Sequence, residues 1–277
     1  MKRILTALIL IPLVLALVFL GPKWQWLFTL AVSLVSMLAA WEFMNMAVQE
    51  GARPPRIPVL VAILTLFVGS SQWFQHTAAI LGFLCLLLLL YCTFFHPVEQ
   101  VLPDATVAIF TLVYTGFSLT SLPILREEAN GPSLVAFLLC AVWAGDSVAL
   151  YVGRAWGRHK MAPTLSPKKS WEGALGSVAG SLAVTGVLLG LASLLQSHDI
   201  AVLTYPEEPW YWLVLAVVVN VAAQVGDLAE SALKRSAGVK DSGTLLPGHG
   251  GVLDRIDALL IAAPVLWYAQ VFYHQTF

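Results

Sequence analysis

Long apolar segments alternate with short polar connectors along nearly the whole chain. Gly–Pro and Pro–Pro dipeptides punctuate the pattern, as at Gly21–Pro22 and Pro54–Pro55, which favours breaks between helices there. A helix needs about 20 mostly apolar residues to cross a bilayer. Nine segments approach that length: 4–20, 25–47, 57–74, 78–95, 105–125, 133–153, 172–195, 210–228 and 254–274. The pattern predicts an all-α integral membrane protein with about nine transmembrane helices.

Composition supports a membrane location and excludes several functional classes. Hydrophobic residues make up 58% of the 277 residues and the mean hydropathy is +0.80, well above the values of soluble domains. A net charge of −1 gives no reason to expect a nucleic-acid partner. The three cysteines lie inside apolar segments, which does not indicate a disulfide framework or a zinc site. The first apolar segment is long for a signal peptide, so we expect a retained helix.

The distribution of Lys and Arg predicts the orientation, because cytoplasmic loops carry an excess of these residues. Nine helices with a cytoplasmic N-terminus place thirteen of the fifteen basic residues on the cytoplasmic side, leaving only Lys23 and Arg126 outside. We expect one membrane domain, 1–277, in which 1–132 is mostly apolar and 133–277 carries the polar motifs. The same distribution places those motifs at the cytoplasmic face of the membrane.

The densest cluster of charge spans residues 227–257. Because charge beside hydrocarbon is costly, such a cluster indicates chemistry. Its ionisable residues are Asp227, Glu230, Lys234, Arg235, Lys240, Asp241, His249, Asp254, Arg255 and Asp257.

Two acidic pairs in this cluster have helical spacing. Asp227 with Glu230, and Asp254 with Asp257, are three residues apart, so each pair presents its carboxylates on one helix face. Hard oxygen ligands of this kind suit Mg²⁺, which usually takes one or two carboxylates plus substrate phosphates. The alternative is pairing between helices with the neighbouring Lys and Arg side chains.

A second polar region follows Asp146, late in the sixth apolar segment. That carboxylate either pairs with Arg154 or binds a metal ion or the substrate. The connector after it combines basic residues, serines and glycines, which together can hold a polyphosphate, and a helix beginning near Ser170 would direct its positive end at an anion. Anchoring at anionic lipid is the alternative. The candidate substrate-binding residues are Ser166, Lys168, Lys169, Ser170 and Glu172.

Two further features have open roles. The glycine-rich segment 243–251 can adopt positive φ and approach a ligand closely, and His249 near its end could bind phosphate, act as an acid or cap the last helix. Glu42 is an acid within the second apolar segment. It could lie at the cytoplasmic end of that helix and line the same cavity.

Residues 231–257 resemble the signature of the phosphatidate cytidylyltransferases, the CDP-diacylglycerol synthases, at every specified position. The 166–173 stretch and the nine-segment layout are also similar to that family. The matching residues are Ser231, Leu233, Lys234, Arg235, Lys240, Asp241, Gly243, Leu246, Pro247, His249, Gly250, Gly251, Val252, Asp254, Arg255, Ile256 and Asp257.

The resemblance implies transfer of a cytidylyl group from CTP to phosphatidate, giving CDP-diacylglycerol and pyrophosphate. It also implies Mg²⁺ as a cofactor, K⁺ beside it, and a homodimer whose polar cavity opens to the cytoplasm and to the lipid. The family's metal-binding acids correspond to Asp227, Asp254 and Asp257, with Asp146 close by. The remaining catalytic candidates are Lys234, Arg235, Lys240, Asp241, His249 and Arg255.

Two other classes share some of these features. A CTP-dependent lipid kinase would use similar membrane and phosphate-binding elements but would release CDP. An ion-coupled transporter would place its acids at mid-depth in paired broken helices, whereas these acids cluster at one predicted face.

A third class, the CDP-alcohol phosphotransferases, is disfavoured, because its D-G-x₂-A-R pattern is missing from the sequence.

Overall fold

A computed structural model describes residues 2–245 and 250–276. Those residues contain ten α-helices and two short strands: α1 Lys2–Phe19, α2 Gln25–Gln49, α3 Arg56–Gln72, α4 Thr77–Phe95, α5 Val98–Thr111, α6 Ser118–Glu127, α7 Gly131–Trp156, β1 Lys160–Ala162, β2 Ser166–Ser170, α8 Trp171–Gln196, α9 Pro209–Ser236 and α10 Leu253–Thr276.

The helices confirm the predicted all-α membrane fold. Within the described residues, seven helical segments are long and apolar enough to cross a membrane, and two shorter apolar helices cover Leu10–Phe19 and Arg56–Gln72. Together these coincide with the nine segments expected from hydropathy. The helices form because each apolar segment satisfies its backbone hydrogen bonds internally, as a lipid environment requires.

The fifth segment begins earlier than the predicted residue 105. A continuous helical run extends from Val98 to Glu127, with a π-helical turn at Leu112–Phe117 between α5 and α6. Asp104, directly before the predicted start, lies inside α5 and is fully buried. Its carboxylate accepts a hydrogen bond from the Arg53 backbone N–H at 2.5 Å and lies 2.5 Å from His96 Nδ1.

The polar connector between α7 and α8 contains a small β-hairpin that the sequence pattern did not predict. β1 and β2 pair antiparallel, with Lys160 opposite Ser170 and Ala162 opposite Ser166. The hairpin places Lys168 and Lys169 on β2, directly before α8.

The chain divides into two compact units. The first unit comprises Met1–Leu13, Gly21–Ile124 and Leu233–Ile256. Its core is apolar and includes the fully buried side chains of Ile63, Leu66 and Leu112.

The second unit comprises Val14–Leu20, Leu125–Ala232 and Asp257–Phe277. Here α7 and α8 pack closely because α8 carries glycines where they meet: a Cβ at Gly180 would lie 2.8 Å from Val148 Cγ2, and one at Gly176 would lie 2.8 Å from Val152. Small residues allow such close approach between membrane helices.

Candidate active site

A buried ion pair joins α9 and α10 in the first unit. Lys234 Nζ lies 2.7 Å from Asp254 Oδ1, and both side chains are largely buried. Asp254 Oδ2 also accepts hydrogen bonds from the backbone N–H groups of Ser242 at 3.0 Å and Gly251 at 2.8 Å. The Asp254 carboxylate therefore holds the start of α10, the preceding loop and the end of α9 together.

The loop before α10 requires glycine beside Asp254. Gly250 has φ +80°, and a Cβ there would lie 2.7 Å from Asp254 Oδ2. A Cβ at Gly251 would lie 2.2 Å from Ser242 Oγ. These glycines bring the loop backbone close to Asp254 and Ser242, and the predicted close approach of this segment to a ligand stays a prediction.

Glu42 of α2 reaches the same loop. Its Oε2 accepts hydrogen bonds from the Leu253 backbone N–H at 2.9 Å and from Ser242 Oγ at 3.1 Å. The sequence indicated only that Glu42 could lie near the other acids; the structure places it in direct contact with the segment that carries Asp254.

A second ion pair lies in the second unit. Lys169 Nζ, on β2, is 2.7 Å from Asp227 Oδ2 on α9. Asp227 Oδ1 is 3.5 Å from Ser231 Oγ, one helical turn further along α9. Both charged side chains are only partly buried, so the Asp227 carboxylate remains accessible to solvent and to ligands.

Two predicted substrate-binding residues in this unit hold local structure. Ser170 is the N-cap of α8, and its hydroxyl accepts a hydrogen bond from the Gly173 N–H at 3.2 Å. Glu172 accepts hydrogen bonds from the backbone N–H groups of Arg158 and His159, and its Oε1 is 2.6 Å from His159 Nδ1. These contacts secure the hairpin to α8, and the predicted binding of substrate by Ser170 and Glu172 stays a prediction.

The remaining predicted site residues differ in exposure. Ser166 and Asp257 are half-buried, and Asp257 Oδ1 accepts a hydrogen bond from the Ala258 N–H at 2.8 Å. Arg235 donates to the Val239 carbonyl at 3.2 Å. His249 lies outside the described residues. The exposed members of the set are Asp146, Lys168, Arg235, Lys240, Asp241 and Arg255.

The predicted metal-binding carboxylates could hold an ion only if substrate phosphates or water supplied its remaining ligands. Among the residues that the structure describes, no group of three or more His, Cys, Asp or Glu side chains is placed to hold a metal. Asp227 and Asp254 each contact a lysine instead. Such hard oxygen donors suit Mg²⁺, which commonly takes one or two carboxylates and completes its shell with substrate phosphates and water.

Sequence reasoning missed a buried polar network in the second unit. Asn220 Nδ2 on α9 donates to Ser177 Oγ at 2.9 Å and Ser181 Oγ at 2.7 Å on α8. Gln224 Nε2 donates to Asn220 Oδ1 at 2.7 Å, and Ser181 Oγ donates to the Ala141 carbonyl at 2.6 Å. α8 and α9 each carry two polar residues at i and i+4 within an apolar segment. That spacing was the signal in the sequence from which the network could have been predicted.

Asn220 is therefore expected to stabilise the packing of α7, α8 and α9. Replacement of Asn220 by valine leaves three hydroxyl and amide groups without this partner, and should lower stability by about 1–2 kcal/mol. Thermal unfolding in detergent measures the loss. Asn45→Val is the matched control, since Asn45 is half-buried in α2. An equal midpoint shift in both variants would contradict a specific role for the network.

The fold and the clusters define a multi-pass α-helical membrane protein with lysine–carboxylate pairs at its polar segments. The model of the Cytidylyltransferase family matches residues 1–273. The chain belongs to that family.

Similar proteins from several bacteria are named phosphatidate cytidylyltransferase. The chain is similar to the phosphatidate cytidylyltransferase of Brucella melitensis, with 48% identity over 157 residues, 56% of this chain and 54% of that protein. The chain thus spans about half the length of the Brucella relatives in these matches. Two proteins of the same name match over nearly their whole length: that of Haemophilus influenzae, 30% identical over 98% of each chain, and that of Synechocystis sp., 32% identical over 98% of this chain and 96% of that protein.

Proposed function

We propose that this chain is a phosphatidate cytidylyltransferase, which transfers the cytidylyl group of CTP to phosphatidate and releases pyrophosphate. Family membership and the full-length relatives support the proposal. The observation that carries it is the bonded arrangement of the signature segment, in which Lys234, Ser242 and Gly251 all contact the carboxylate of Asp254.

The reaction needs charge and positioning more than proton transfer. A phosphate monoester has a second pKa near 6, so the attacking oxygen of phosphatidate is already ionised at neutral pH and no general base is required. That oxygen forms a bond to the α-phosphorus of CTP as the bond to the pyrophosphate oxygen breaks. Negative charge spread over the equatorial oxygens must then be stabilised electrostatically.

The basic side chains are suited to that task. Lys234 and Lys169 are neutralised by Asp254 and Asp227, and in our proposal these pairs hold the carboxylates in place. Exposed basic side chains at Lys168, Arg235, Lys240 and Arg255 would contact the triphosphate and the lipid phosphate. Two lysines would thus position the carboxylates, and the four exposed basic side chains would bind the phosphates.

The residues that would hold Mg²⁺ are Asp146, Asp227, Asp254 and Asp257, with K⁺ as the second ion that the family resemblance implies. When bound, Mg²⁺ would supply Lewis-acid stabilisation of the phosphate oxygens. Asp254 keeps its orientation through three hydrogen bonds of the chain itself, so an ion would meet a preformed ligand.

The setting of the reaction completes the proposal. The lysine and arginine distribution favours a cytoplasmic N-terminus and a cytoplasmic site, where soluble CTP and bilayer-resident phosphatidate can meet. The membrane would be the bacterial inner membrane, and the assembly a homodimer, as the family resemblance implies.

Nucleotide selectivity tests the proposed function. Purified protein with Mg²⁺ and phosphatidate should form a nucleotide-linked lipid from CTP and little or none from ATP, GTP or UTP. The protein with Asp254→Ala is the negative control. Equal use of all four nucleotides, or no lipid product with CTP from well-folded protein, would contradict the proposal.

Gly250→Ala is expected to lower turnover. Alanine at φ +80° costs about 1–2 kcal/mol, and its Cβ would lie 2.7 Å from Asp254 Oδ2, so the carboxylate must move. The measurement is kcat with CTP and phosphatidate. Gly186→Ala, in α8 with open space around the added methyl group, is the control. Wild-type kcat in Gly250→Ala would show that Asp254 need not keep this position.

A further inference from the structure

Glu42 is an acidic side chain buried within an apolar helix. Only 5% of the residue is exposed, although α2 is otherwise rich in apolar side chains. Burying a carboxylate is costly unless hydrogen bonds compensate it. Oε2 is compensated by one segment distant in sequence, through the Leu253 N–H and the Ser242 hydroxyl, whereas Oε1 is buried with no hydrogen-bond partner among the described residues.

The loop backbone encloses the Glu42 carboxylate. A Cβ at Gly243 would lie 2.5 Å from Oε1, and a Cβ at Gly251 would lie 2.3 Å from Oε2. Any side chain at either position would collide with the carboxylate. The closeness of Glu42 therefore accounts for glycine at both positions.

Ser242 links Glu42 to Asp254. The Ser242 hydroxyl donates to Glu42 Oε2 at 3.1 Å and accepts from the Asp254 backbone N–H at 3.3 Å. The Ser242 backbone N–H donates to Asp254 Oδ2 at 3.0 Å. One serine thus bonds both carboxylates, and a movement of Glu42 would be transmitted to Asp254 through it.

Glu42 also completes the start of α10. The first N–H groups of a helix have no partner inside the helix and are normally satisfied by a nearby side chain. In α10 the Leu253 N–H is accepted by Glu42 and the Asp254 N–H by Ser242. Glu42 therefore acts as a cap for α10 that is supplied by a different helix, and it binds the residue directly before Asp254.

We propose that Glu42 is a positioning residue for Asp254. By holding Ser242 and the first turn of α10, it keeps the Asp254 carboxylate directed at the reacting phosphates and the ion bound with them. This inference rests on the proposed function. The role requires one acceptor oxygen at Glu42, which receives both hydrogen bonds, and it involves no proton transfer.

Kinetics of Glu42 variants test the role. Glu42→Ala should lower kcat by about tenfold or more, the range for residues that orient a metal ligand, with a smaller change in the KM for CTP. Glu42→Gln keeps an acceptor for Leu253 and Ser242 and should restore kcat to within about threefold of wild type. Glu50→Ala, at the exposed end of the same helix, is the matched control and should leave kcat unchanged.

A double-variant cycle tests the route through Ser242. If Glu42 acts through Ser242, Glu42→Ala and Ser242→Ala together should lower kcat no more than the stronger single change, since residues in one network are not additive. Wild-type kcat in Glu42→Ala, failure of Glu42→Gln to restore kcat, or fully additive losses would each overturn the proposal.

Hydrogen–deuterium exchange separates this inference from the proposed function. The amides of Ser242, Gly251, Leu253 and Asp254 are donors in the network, so Glu42→Ala should speed exchange in peptides covering 242–254, and Glu50→Ala should not. Unchanged exchange in Glu42→Ala would overturn the positioning role whatever the enzyme does. Absence of CDP-lipid formation by the wild-type protein would instead overturn the proposed function. If Glu42→Ala does not fold, Ser242→Ala replaces it, because this change removes the hydroxyl that links the two carboxylates. Ser242→Ala should then lower kcat and speed exchange in 242–254, and Glu42→Gln should do neither.

Discussion

Replacement of Asp254 by alanine is expected to abolish turnover. The change removes the acceptor of three hydrogen bonds and leaves the Lys234 ammonium, only 13% exposed, without its carboxylate. Removing one partner of a largely buried ion pair is destabilising. Losing a preorganised electrostatic element at a reacting phosphate should lower kcat by at least about 100-fold.

The measurement is CDP-lipid formation by purified Asp254→Ala protein. Membrane insertion and elution on size-exclusion chromatography should match wild type, because α10 retains its apolar segment. Glu208→Ala, an exposed acid before α9, is the control and should keep wild-type turnover. Near-normal turnover in Asp254→Ala would remove this residue from the catalytic machinery.

Asp227→Ala is expected to have a similarly large effect on rate and a small one on stability. Its carboxylate is 38% exposed and pairs with Lys169 at 2.7 Å. Partly exposed pairs contribute about 1 kcal/mol or less to stability. Loss of a predicted metal ligand should nevertheless lower kcat by at least about 100-fold. We therefore expect a large fall in kcat with little change in the midpoint of thermal unfolding.

Parallel kcat and thermal unfolding measurements test that separation. Lys169→Met should share part of the defect, because it frees Asp227 from its partner. Lys160→Met, on the paired strand β1, is the control for loss of charge in the hairpin. If Asp227→Ala kept near-normal kcat, or if its rate loss merely followed a large fall in stability, the metal-ligand assignment would be wrong.

Hydropathy predicted most of the fold, because each membrane helix satisfies its own backbone and is specified locally. The exception shows the limit of that reasoning. Asp104 falls just outside the predicted fifth segment, yet it lies inside α5, where His96 and the Arg53 N–H satisfy it. A partner 51 residues away leaves no trace in a local pattern.

The sequence predicted which residues belong to the candidate site better than it predicted the ion pairs and hydrogen bonds between them. The sequence identified Asp227, Asp254 and their neighbouring basic residues, but not which lysine meets which carboxylate. The contact between Glu42 and Leu253 spans 211 positions. The Asn220 network likewise depends on the packing of three helices. Such contacts follow from tertiary packing, which periodicity alone does not specify.

Position-specific labelling of CTP tests the central claim most directly. The α-phosphorus should become part of the lipid product, and the γ-phosphorus should leave with pyrophosphate. Purified protein with phosphatidate and Mg²⁺ should therefore yield labelled lipid from α-labelled CTP and unlabelled lipid from γ-labelled CTP. Label from the γ-position in the lipid, with release of CDP, would identify a CTP-dependent lipid kinase and contradict the account.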